Sequence, residues 1–122
     1  GSANTDSKPQ MVTLNVDGQF GNATAKRLQE YFDTTGKDGL ISHQYKQTFN
    51  QNIYAAQFDS SLTGSNVVKA LQKFLGIRQD GLFGQSTIKP LQKYLGTTQD
   101  GTISPVSGSV REVQRRLNAN KL

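Results

Sequence analysis

The chain has no cysteine and no tryptophan, a single histidine, three prolines and only two glutamates, Glu30 and Glu112. Each shortage removes a class of function. Without cysteine there is no disulfide framework and no thiolate metal site. One histidine among scattered carboxylates does not make a zinc site, so His43 reads as a surface residue on a helix. Without tryptophan, stacking on a sugar ring would fall to Tyr31, Tyr45, Tyr54 or Tyr94. No apolar run approaches the roughly 18 residues of a membrane span, and no membrane partner is expected. A glycosidase needs two carboxyl groups in opposed environments facing one cleft, whereas Glu30 and Glu112 each fall on a polar helix face. One carboxylate per turn is too few for calcium, and there is neither a nucleophile elbow nor a glycine-rich phosphate loop. The sequence predicts no catalytic residue, no metal and no cofactor.

What is present is small and basic. At 122 residues, with 34% apolar residues and a mean hydropathy of −0.58, the chain has room for one ordinary domain or two very small ones. The net charge of +5 is uneven. Residues 65–122 hold nine Lys/Arg against three acids, giving +6, and residues 1–64 hold five against six, giving −1. The second half suits an anionic partner, whether nucleic acid, a membrane surface or an anionic wall polymer; solvated helix faces are the plain alternative. Residues 1–10, GSANTDSKPQ, are polar and rich in breakers, as expected of a disordered linker. No secretory leader is visible, and Gly1-Ser2 reads as a cloning scar.

The organising feature is a repeat. Asp recurs at 17, 38, 59, 80 and 100, and all but Asp59 precede Gly. A series of apolar–amide pairs runs in step: Leu28-Gln29, Phe49-Asn50, Leu71-Gln72, Leu91-Gln92 and Val113-Gln114. Around three of these the apolar residues fall at helical spacing: Ala25, Leu28, Tyr31 and Phe32; Val68, Leu71, Phe74 and Leu75; Ile88, Leu91, Tyr94 and Leu95. Sparser stripes are Tyr45, Phe49, Ile53 and Val110, Val113, Leu117. Gly21, Ser42, Gly64 and Gly84 stand where N-caps belong. Phe83 and Ile88 are placed as a hydrophobic staple, and Gly76 and Gly96 as left-handed C-caps. Between helices the Asp-Gly pairs turn the chain. Pro90 breaks the pattern, because with Gly84 as cap it falls inside a helix and predicts a kink or a later start.

These units predict an all-α protein of about five short helices joined by Asp-Gly turns and grouped as two tandem helical bundles. Residues 17–35 match 80–98 at an offset of 63, and DGLIS (38–42) matches DGTIS (100–104). Residues 65–122 form a three-helix module. Residues 11–58 form a shortened copy, led by an extended Met11–Val16 in place of its first helix, and residues 59–64 are the hinge. The amides Gln29, Gln72, Gln92 and Gln114 have two readings: repeat ancestry with helix propensity, or polar groups lining grooves between helices. Tyr31 and Tyr94 share a position in their units and read as core-rim residues whose hydroxyls reach a groove.

The succession LQKFLG (71–76), QDGLFG (79–84), TIKPLQKYLG (87–96) and DGTIS (100–104), followed by a closing helix, resembles peptidoglycan-binding domains. Those are small three-helix bundles appended to cell-wall hydrolases. The resemblance covers 65–122 and, as a shortened copy, 14–54. The doubled arrangement with NIYAAQF (52–58) is similar to the C-terminal cell-wall-binding region of phage endolysins directed at Gram-positive hosts. It implies a monomeric, non-catalytic module acting at the bacterial cell wall, outside the cytoplasm, with the catalytic domain elsewhere. The implied partner is peptidoglycan, through stem peptide or cross-bridge, with anionic wall polymers attracted by Lys69, Lys73, Arg115 and Arg116. Gln29, Tyr31, Arg78, Gln92 and Tyr94 are the residues expected to touch ligand. A nucleic-acid-binding module and a purely structural or oligomerising module are the rival readings.

Overall fold

A computed structural model describes residues 13–61 and 63–122. The linker expected at 1–10 and Met11-Val12 lie outside the described residues. Among the described residues there are four helices: α1 (Asn22–Phe32), α2 (Asn66–Leu75), α3 (Gln85–Leu95) and α4 (Gly108–Asn118). Two short strands, β1 (Ile41–Gln44) and β2 (Ala56–Phe58), pair in parallel. The fold is therefore mixed, and the all-α expectation of five helices is corrected. Thr13–Val16 forms no strand.

The missing helix is the one expected from Ser42 onward. Its stretch, SHQYKQTFNQN, is poor in strong helix formers, and two residues divert it. His43 sits at φ 55, outside helical space. Asn50 closes a turn, accepting from the Gln47 N–H at 2.7 Å and donating to Tyr45 O at 2.9 Å. Turn formation by Asn competes with the helix ladder. Ile41 and Ile53 are still buried, but as members of extended segments: Ile41 N–H donates to Ala55 O, and Ile53 bridges Phe20.

The helix ends follow the sequence with one adjustment. Gly21 and Gly84 are the N-caps of α1 and α3, and Gly76 and Gly96 end α2 and α3 in the left-handed region. The cap of α2 is Ser65 rather than Gly64, with Ser65 Oγ accepting from the Val68 N–H at 3.2 Å. Ser107 does the same for Val110 at the start of α4. Pro90 neither delays nor ends α3, which runs unbroken from Gln85.

The helices close a ring: α1 packs on α2 and α4, and α3 on α2 and α4. One buried cluster takes residues from both halves, including Phe20, Leu28, Ile41, Val68, Phe83, Ile88 and Leu117. Phe20 and Phe83, 63 positions apart, meet edge-to-face at 5.7 Å. Burying such side chains contributes roughly 1.5–3 kcal/mol apiece.

Candidate functional site

The four Gln side chains have one job, repeated. Gln29 Nε2 donates to Asp38 Oδ1 and Leu40 O, while its Oε1 accepts from the Gly39 N–H at 2.7 Å. Gln72 holds Asp80, Leu82 and Gly81 in the same way. Gln92 holds Asp100, Thr102 and Gly101. Gln114 holds Asp17, Gln19 and Gly18, reaching back across almost the whole chain. Each helix thus clamps one Asp-Gly turn, and α4 supplies the leading helix that the first copy lacks. Gln29 and Gln92 are buried and their amides are engaged in these clamps, which places them in the framework of the turns.

Each Asp also accepts the N–H two residues on: Asp17 from Gln19, Asp38 from Leu40, Asp80 from Leu82, Asp100 from Thr102. These donors hold three carboxyls below their ordinary value. At Asp17 and Asp38 the backbone N–H leads and the Gln amide follows; at Asp100 the Gln92 amide leads. A depressed folded-state pKa stabilises the fold above the unfolded value, near 3.9, and that stabilisation is lost as pH falls through the folded value. The urea midpoint should be level from pH 7 to about 5 and fall below about pH 4. Asp100→Asn should make that acid limb shallower; an unchanged limb would show that the turns do not carry it.

Outside the clamps, a groove of about 640 Å³ lies between α2 and α3. It is lined by Phe74, Leu75, Pro90 and Tyr94 together with Lys89, Lys93 and Gln99. Phe74 and Tyr94 are 40% and 45% exposed, too open for core residues of their size. Their rings meet edge-to-face at 5.2 Å. Lys89 and Lys93 are one turn apart on α3, and among the described residues neither joins an ion pair. The groove can take a ligand that alternates small apolar groups with carboxylates.

Tyr94 lines this groove, whereas Tyr31 lies on α1 with its hydroxyl on Leu122. Arg78 is exposed on the connection after α2. Sequence reasoning passed over Phe74, Lys89, Lys93 and Gln99 as site residues. The signal for them was Pro90: a proline inside a helix forfeits a backbone bond, and Pro90 lines the groove. Among the described residues no three His, Cys, Asp or Glu cluster as metal ligands, and no helix is long and apolar enough to cross a membrane.

No family model, curated protein or solved structure matches the chain.

Proposed function

We propose that this chain is a non-catalytic cell-wall-binding module that anchors a phage endolysin on bacterial peptidoglycan by its stem peptide or cross-bridge. The observation that supports it is the α2–α3 groove, lined by two aromatic rings and by two ammonium groups that join no ion pair among the described residues. A wall peptide rich in alanine methyls and free carboxylates has the complementary chemistry, and the apolar part of the lining supplies contact area that charge alone would not. The resemblance of LQKFLG, QDGLFG and DGTIS to peptidoglycan-binding domains points the same way. The +6 charge of residues 65–122 would add attraction to anionic wall polymers.

A fluorescent fusion should bind purified Gram-positive walls stripped of teichoic acid at physiological salt. Lys93→Glu should weaken that binding about tenfold, in line with reversing one close charge in a ligand site. Absence of wall binding, together with tight, steeply salt-dependent DNA binding, would overturn the assignment in favour of a nucleic-acid partner.

A further inference from the structure

After α4 the chain doubles back. Asn120 adopts φ 54, the Lys121 N–H donates to Arg116 O, and Leu122 is delivered into the body of the protein, 5% exposed. Three side chains receive its backbone. Tyr31 Oη accepts from the Leu122 N–H at 3.1 Å, Tyr94 Oη donates to Leu122 O at 2.9 Å, and Arg116 Nη1 donates to the same oxygen at 3.3 Å. Arg116 is itself fixed, by Glu112 at 2.9 Å and by stacking 5.4 Å over the Tyr94 ring. Tyr31 and Tyr94 occupy equivalent positions in the two copies of the repeat, so the cradle sits between the copies.

This arrangement reads both hydrogen-bonding groups of one amino-acid residue and buries its apolar side chain. We propose that the Tyr31–Tyr94–Arg116 cradle is a binding site for a single apolar residue of a peptide, and that Leu122 fills it in cis as a tethered competitor. A short tether presents Leu122 at an effective concentration of the order of millimolar. The apparent affinity for a free peptide is therefore reduced to the intrinsic affinity multiplied by the fraction of molecules in which the cradle is open. Occupancy of the cradle also sets the position of Tyr94, which the α2–α3 groove shares. The proposal stands whether or not that groove binds cell wall.

The test is NMR titration with N-acetyl-leucine N-methylamide, which presents the N–H, the C=O and the apolar side chain of a single leucine residue in the required arrangement. A variant lacking Lys121 and Leu122 should show saturable shifts of the Tyr31 and Tyr94 ring signals. The 122-residue chain should need at least tenfold more ligand for the same shifts. Adding Tyr94→Phe to the shortened variant removes one donor while keeping the ring, and should weaken binding at least fivefold. Equal response of the 122-residue and shortened chains, or no saturable shift in the shortened one, would overturn the proposal. If the shortened chain does not fold, Leu122→Gly is read in its place, with the same two outcomes.

Discussion

Replacing Gln114 with leucine should lower the free energy of unfolding by roughly 3 kcal/mol, because the substitution strands buried partners instead of merely removing a contact. Gln114 is 1% exposed. Its Oε1 is the acceptor for the Gly18 N–H at 3.0 Å, and its Nε2 stands 3.0 Å from both Asp17 Oδ1 and Thr24 Oγ1. Leucine fills the volume and satisfies none of them. An unmet buried N–H alone costs about 1–3 kcal/mol. For a chain of this length the loss should appear as a fall in Tm of roughly 10–15 °C. Arg115→Ala, one residue along on the exposed face, should move stability by about 0.5 kcal/mol or less. A calorimetric shift for Gln114→Leu no larger than the Arg115 control would show that the clamp is dispensable.

Gly64→Ala should be at least as damaging, for a different reason. Gly64 has φ 77, and a Cβ there would lie 2.5 Å from Gly81 C and 2.6 Å from Asp80 O. Both obstacles are backbone, and both belong to the turn that Gln72 clamps. The adjacent bond from the Ser65 N–H to Gly81 O, at 2.9 Å, ties the two segments together and leaves little room to relax. Left-handed strain of about 1 kcal/mol and overpacking of about 1–3 kcal/mol should combine to roughly 3 kcal/mol. Gly76 separates the two causes. It has nearly the same φ, 73, with nothing within 4 Å of a Cβ, so Gly76→Ala should lose only the strain. Urea unfolding of the two variants measures the difference; equal losses would remove the close approach as a cause.

Much of this was legible because helix signals are local. The stripes at 25–32, 68–75, 88–95 and 110–117 each became a helix, and Gly21, Gly84, Gly76 and Gly96 cap them as their chemistry requires. The stretch after Ser42 misled for an equally local reason. Tyr45, Phe49 and Ile53 recur every four residues, but Asn50 and His43 prefer turn geometry, and a pattern of apolar positions carries no record of that competition. The amides show the other limit. The series Gln29, Gln72, Gln92 and Gln114 was plain, yet periodicity could not say whether an amide faces a ligand or a turn. That choice depends on where the next Asp-Gly turn comes to rest. For Gln114 this turn lies at the other end of the sequence, and no window of neighbouring residues contains it.

Closing the ring through Gln114 and Asp17, 97 residues apart, also bears on how the molecule assembles. The other three clamps join residues about ten apart, so each can form as its own helix forms and encloses only a short loop. The fourth must gather the whole chain before it gains anything, and such long-range closures slow folding. The pairing of Leu14 with Asn118, through bonds of 2.7 and 3.0 Å, belongs to the same late event. The seam between α4 and α1 is then the last to shut in folding, although once shut it is built from the same parts as the seam between α2 and α3. A circularly permuted chain, opened within 59–63 and joined across that seam, would keep every clamp and make the slow closure a local one.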